Sequence, residues 1–474
     1  MRYEMNISGE VKCMWMLRVL MALFTVHCSL FTSTAQTYSL EQLKDSALHH
    51  NFAIRKARYD IDAAQQQRRE AFTKYFPNVS ATGLWFNANK GMAETTITPS
   101  EIIPQSLGQV LAQQMPPQVL ADLANPISVS MMKNGTIGGV TAVQPVFAGG
   151  QIINGNRLAK VGEQVSRLQL QLSENEVEKT TEQYFWQLVS LQEKMKTVEA
   201  VEALLADIAK DVDVALKAGV AMRNDLLQVQ LRQNDVESQK LKLQNGISLV
   251  KLLLAQYCGL GGTTFTVSYT TDEDAKDEIQ SSKFNVQSSK FKVQSSMFNV
   301  QSLPEYQLLT QQVRATDLQH KMEVGKNLPS VGVGAGYNYH NLLDNNHTFG
   351  MIFATVSVPI SDWWGGSHAI KRKKIEHEKA QEQLADNSQL LMIRMQKAQN
   401  DVEEARQQLD IAQRSIEQAE ENLRLNRNFY QAGTSKMSDL LEAQLLYQQA
   451  RDKQTDALAN YHNKLLEYRQ ATGQ

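Results

Sequence analysis

The sequence predicts a mainly α-helical chain with a small β part, assembled from two copies of one unit that runs helix, strand, strand, long helix, helix. Three observations lead there. Between Gly366 and Gly433, every seventh residue falls on an apolar seam of Met395, Val402, Leu409, Ile416, Leu423 and Tyr430. A second seam, mostly alanine, follows Leu391, Ala398, Ala405, Ala412 and Ala419. Only a 3.5-residue period keeps two such series facing a partner helix, so this stretch reads as a coiled-coil helix. The second observation is replay: Pro145 lies 74 residues before Gly219, and Pro359 lies 74 before Gly433. The third is period-2 alternation, as in Val331, Val333, Ala335, Tyr337 and Tyr339 separated by Gly332, Gly334, Gly336 and Asn338. That is the signature of a strand with two unlike faces.

Taken in order, residues 1–35 read as a signal peptide. Arg2, Lys12 and Arg18 surround an apolar run from Met14 to Phe31, and Ser33-Thr34-Ala35 places small residues before a new terminus at Gln36. A membrane anchor is the alternative, and so is a lipidated Cys28, although His27 stands where a small residue is expected. With Cys13 and Cys28 removed only Cys258 remains, so no internal disulfide forms and packing must hold the fold.

The first repeat covers 36–269. Ser39 to Lys74 predicts one helix opened by a Ser39/Gln42 capping box and closed at Pro77, whose ring removes a donor. Strands follow at about 79–88 and 137–147, separated by a long loop from Asn87 to Thr136. A long helix at about 151–217 carries the seam Val177, Tyr184, Leu191, Val198, Leu205 and Val212. Gly219 stops it, Asn224 caps the next helix, and Asp225 favours that helix's positive dipole end. The next seam is Val229, Val236, Leu243, Val250 and Tyr257.

Residues 270–302 change character. Ser281-Ser282-Lys283-Phe284-Asn285-Val286-Gln287 recurs twice with single changes, which reads as a low-complexity linker. The second repeat, 303–474, then predicts a helix at 305–326, strands at about 330–341 and 348–360, and the long helix at about 366–432. Ala218-Gly219 to Asn224-Asp225-Leu226-Leu227 aligns without a gap on Ala432-Gly433 to Ser438-Asp439-Leu440-Leu441. Strands of about ten residues with strict alternation suit a barrel that faces lipid on one side. Four strands cannot close a barrel, because small closed barrels start at about eight, so several chains would have to contribute.

With these features on the page, the chain resembles the TolC-like outer-membrane efflux protein family. The resemblance rests on the duplicated plan, on the Pro-then-Gly-Gly junctions Pro145 to Gly150 and Pro359 to Gly366, and most specifically on Tyr430-Gln431-Ala432-Gly433 to Asp439-Leu440-Leu441-Glu442-Ala443. It implies a homotrimer whose strands form one transmembrane β-barrel of twelve strands and whose helices form a coiled-coil periplasmic tunnel. It also implies residence in the outer membrane of a Gram-negative bacterium, with a large periplasmic part. The implied partners are outer membrane lipid, a periplasmic adaptor (membrane fusion protein) and an inner-membrane RND or ABC pump, in efflux or type I secretion. On this basis the turns at Gly219, Asn224, Asp225, Gly433, Ser438 and Asp439 face the adaptor, and Glu417 with Glu421, four apart on one helix face, are gate candidates.

Other classes find less support. Net charge is −2 and no basic face is evident, which argues against nucleic acid. The chain has no Gly-x-Ser-x-Gly elbow and no Walker sequence, and Gly332-x-Gly334-x-Gly336 meets Tyr337 on a strand, so neither an enzyme nor a cofactor is expected. His340, Asp344 and His347 flank a polar turn, and no metal site is expected there. The competing class is an exported coiled-coil structural or scaffold protein with a soluble β-hairpin domain.

Overall fold

The computed structural model describes residues 36–98, 125–269, 299–342, 346–360 and 362–473, with a few positions between 107 and 121. The predicted signal peptide, most of the linker (270–298), Asp344 and part of the 87–136 loop lie outside the described residues. The elements are β1 Gln36–Tyr38, α1 Leu40–His50, α2 Phe52–Thr73, β2 Asn78–Asn87, β3 Ala93–Ile97, β4 Ile127–Met131, β5 Asn134–Ala148, α3 Gln151–Lys217, α4 Arg223–Cys258, β6 Phe265–Val267, α5 Pro304–Lys326, β7 Ser330–Asn341, β8 His347–Ser357, α6 Asp362–Gln431 and α7 Met437–Thr472.

Contacts divide the chain into two compact units that each draw on both repeats. One combines Met1–Tyr59, Leu168–Gln307 and Asn387–Gln474; the other combines Asp60–Arg167 and Leu308–Asp386. In the first unit the heptad seams form the core. Val177, Val198, Leu205, Val212, Val229, Val236 and Val250 are buried, as are Met395, Ala398, Ala405, Ala412 and Ile416. One cluster joins Leu205, Val212 and Val229 to Met437 and Leu440, so helices of the two repeats share a core. A polar line crosses it. Arg232 of α4 donates to Gln444 (3.0 Å) and Gln448 (2.8 Å) of α7, and Gln448 donates to Gln239 (2.7 Å). Such a line fixes which helix faces meet, since a shifted register would strand buried amides.

In the second unit β2, β5, β7 and β8 form one antiparallel sheet in that order. The β5–β7 register shifts between Pro145 and Phe147, because Pro145 has no N–H to give the ladder. Glu163, nearly buried on α3, accepts from Arg68 of α2 (2.9 Å) and from Arg167 (2.8 Å), which ties α2 to the start of the long helix.

Several expectations need correction. The helix predicted from Ser39 to Lys74 is two helices, divided at Asn51, whose backbone is extended and whose side chain accepts from Ala53 N–H (2.8 Å); local Asx bonding competes there with the helical ladder. The Ser39/Gln42 capping box does form, with bonds of 3.0 and 3.3 Å. Asn224 is no cap: α4 starts at Arg223 with Met222 as its N-cap. The strand expected to reach 360 ends at Ser357, and α6 starts at Asp362, ahead of Gly365-Gly366. Those glycines are therefore helical, whereas Gly149 and Gly150 have φ of +57° and +75° and make the turn before α3. At Gly366 a Cβ would meet the Asn327 side chain, which would have to shift to admit it. The 87–136 segment is more than loop, for β3 and β4 pair antiparallel within it. Two short strands escaped the sequence reading: β1 pairs in parallel with β6, joining Gln36–Tyr38 to Phe265–Val267.

Candidate functional site

Three features are candidates for a functional site: the two faces of the sheet, the paired turns and the acidic pair on α6. Residues directly opposite in a ladder point to the same face, so the registers sort the sheet. Val331 opposes Phe147 and Val356, Ala335 opposes Ala142 and Ile352, and Tyr337 opposes Val140, which opposes Ala81. One face therefore carries Val79, Ala81, Trp85, Val140, Ala142, Phe147, Val331, Val333, Ala335, Tyr337, Ile352, Ala354 and Val356. It is exposed: Ile352 is 90% accessible, Trp85 70% and Val356 68%. The opposite face is mixed: Ser80, Thr82, Thr141, Gly332, Gly334, Gly336, Asn338, His340, His347 and Thr355 are interspersed with Leu84, Phe86, Ile137, Val143, Phe349 and Met351, and Phe353 lies over Gly334.

An exposed aliphatic face this continuous is unstable in water. The sheet is also open. Among the described residues β2 and β8 each pair on one side only, leaving two edges of ten and eleven residues whose outward-pointing N–H and C=O groups lack strand partners. Strands of 10 to 15 residues are long enough to cross a bilayer when tilted. Among the described residues, no helix is long and apolar enough to do so.

The two turns are near copies. Gly219 has φ +76°, with Gly219 N–H bonded to Leu216 C=O and Val220 N–H to Ala215 C=O, both 3.0 Å. Gly433 has φ +70°, with Gly433 N–H on Tyr430 C=O and Thr434 N–H on Phe429 C=O, both 2.9 Å. This bond pair satisfies the last helical carbonyls and requires a left-handed residue, hence glycine. Beyond each glycine an aspartate folds back: Asp225 accepts from Met222 N–H (3.0 Å) and Asp439 from Lys436 N–H (3.2 Å), with Ser438 Oγ donating to Asp439 (3.1 Å). The turns differ in packing. Met437 and Leu440 are buried, whereas Val220 and Met222 are exposed, which leaves the first turn apolar at its surface. Asn224 lies exposed in the first turn of α4.

Glu417 and Glu421 are both exposed on α6. Arg424 holds Glu421 through two bonds of 2.7 Å, and this pairing pulls the carboxyl below its usual range. Among the described residues Glu417 has no ion pair. The sequence reading set His340 and His347 on either side of a polar turn without fixing their geometry; the β7–β8 register makes them directly opposed, with ring centres 5.4 Å apart. Only a fixed hairpin register could have revealed it.

Residues 302–474 match the family model described as Outer membrane efflux protein. No curated protein sequence matches the chain. Solved structures do match in fold. CusC, described in terms of transmembrane channel formation, superposes with a TM-score of 0.72 at 14% identity, covering 93% of this chain and 95% of its own. The outer membrane protein VceC of Vibrio cholerae gives 0.68 at 14% identity, covering 92% and 96%. The open-state MtrE outer membrane channel of Neisseria gonorrhoeae gives 0.67 at 14%, covering 92% and 88%.

Proposed function

We infer that three copies of this chain form a passive export conduit, a reading supported by the match of residues 302–474 to the family model described as Outer membrane efflux protein and by the fold the chain shares with solved outer-membrane channels. The observation that carries this reading is the open sheet with its bare aliphatic face. Lipid removes the cost of exposing Val79, Ile352 and Val356, and joining β8 of one copy to β2 of the next satisfies both edges. In hydrocarbon an unpaired backbone edge is not tolerated, so closure is obligatory. Three times four strands gives twelve, enough for a lumen lined by the mixed face that carries Gly, Thr and Asn beside Leu84, Ile137 and Met351.

In this reading the helices continue the conduit through the periplasm. The turns at Gly219, Asn224, Asp225, Gly433, Ser438 and Asp439 meet a periplasmic adaptor, with exposed Val220 and Met222 as the apolar contact. Transport is powered elsewhere, by an inner-membrane RND or ABC pump, and the chain itself performs no catalysis and holds no cofactor. The deciding experiment is extraction. The full chain should require detergent and run as a trimer that dissociates on heating. A water-soluble monomer after signal removal would favour the exported scaffold and overturn the channel.

The acidic pair belongs to the same proposal as a cation-attracting ring at the gate. Because Arg424 already neutralises Glu421, Glu417→Ala alone should reproduce most of the loss of cation block produced by Glu417→Ala with Glu421→Ala in bilayer conductance recordings. Unchanged block in the double variant would remove both residues from the gate.

A further inference from the structure

We propose that His340 and His347 form a two-ligand site for a divalent transition metal ion, with zinc as its probe. The two residues are a directly opposed cross-strand pair at the last rungs before the 342–346 connection, so their side chains leave the sheet on the same face. Their ring centres are 5.4 Å apart and the planes are inclined by 34°. A zinc ion bound by two imidazoles at about 2.1 Å in tetrahedral geometry places the ring centres about 5.2 Å apart, once the ~1.1 Å from nitrogen to ring centre is added. The ring centres thus stand at about the separation that two zinc-bound imidazoles take.

A second observation points the same way. Nδ1 of His340 is buried and has no hydrogen-bond partner, although its ring packs edge-on to Phe349 at 6.0 Å. A buried polar nitrogen without a partner calls for a missing one. With no hydrogen bond fixing the tautomer, either nitrogen can present a lone pair. Among the described residues no three His, Cys, Asp or Glu converge, and the pair supplies two ligands. Imidazole ligands suit zinc, copper and nickel over magnesium or calcium. If the chain forms the channel inferred above, the site lies on the lumen face at the end of the barrel away from α5 and α6, three times per trimer. Metal binding itself does not depend on that assembly.

Calorimetric titration of the untagged, detergent-solubilised full chain with ZnCl2 tests the proposal. One zinc should bind per chain, and His340→Ala or His347→Ala should each weaken binding by on the order of tenfold or more, while magnesium gives no heat. Both positions lie at the turn end of the β7–β8 hairpin, and retention of the trimer, or of the helical circular-dichroism spectrum if the chain is monomeric, checks that each variant is folded. The adjacent surface pair His49-His50 is the competing ligand source. Loss of binding in His49→Ala/His50→Ala with unchanged binding in the β-hairpin variants would overturn the site, as would an absence of zinc binding in the parent chain.

Discussion

Ile352→Arg is expected to prevent assembly in the outer membrane, although Ile352 is 90% exposed in the single chain. In a soluble protein such a position tolerates charge, since surface substitutions away from special features usually stay within about 0.5 kcal/mol. On the lipid face of a barrel, arginine near the midplane costs about 2–4 kcal/mol, and a trimer incurs it three times. Ile352 sits near the middle of β8, opposite Ala335. Its neighbour Met351 opposes Gly336 and points to the other face, so Met351→Arg supplies the control. The comparison is the yield of heat-dissociable trimer from outer-membrane fractions. Ile352→Arg should lose it and Met351→Arg should retain most of it. Equal yields would show that the aliphatic face does not meet lipid.

The second large effect concerns two glycines in one unit. Gly149 and Gly325 approach so closely that a Cβ on either would overlap the other's carbonyl oxygen. Both obstacles are backbone, so neither can rotate away. Gly325 lies in the last turn of α5, where propensity alone favours alanine by about 1 kcal/mol. Gly325→Ala should nevertheless destabilise, by about 1–3 kcal/mol as for other overpacked sites. Gly149→Ala adds a left-handed penalty of about 1–2 kcal/mol, its φ being +57°. Gly219→Ala carries only that second cost, because a Cβ there meets open space. Denaturation midpoints should therefore fall further for Gly149→Ala, which carries both costs, than for Gly219→Ala or Gly325→Ala. A stabilised Gly325→Ala would mean that the close approach is not held in solution.

Much of this was legible in the primary structure because it is periodic. Heptad seams encode burial directly: Val198, Leu205 and Val212 are as buried as their spacing requires, and so are Ala398, Ala405 and Ala412. The turn glycines were legible for a local reason, since a left-handed residue and a following aspartate are features of one short stretch. Asn51 shows where local reading failed. A single Asx interaction divides a helix whose apolar pattern runs on through Ile54, Ala57 and Ile61, all buried. Gly365-Gly366 failed otherwise, as the same dipeptide is a turn in one repeat and helical in the other. Their neighbours decide, and the Asn327 side chain is distant in sequence.

By itself, then, the sequence determined the helical repeat, its seams, the two glycine turns and the alternation of the strands. These depend on residues within one or two turns of each other, where spacing and side-chain chemistry suffice. Tertiary structure decided strand order and register, and with them the aliphatic face through Val356, Val331 and Phe147, the Gly149–Gly325 contact and the facing of His340 with His347. Those features depend on which residues a ladder sets opposite one another. A slip of one residue would turn every side chain of a strand to the other face, so only the formed sheet can specify them.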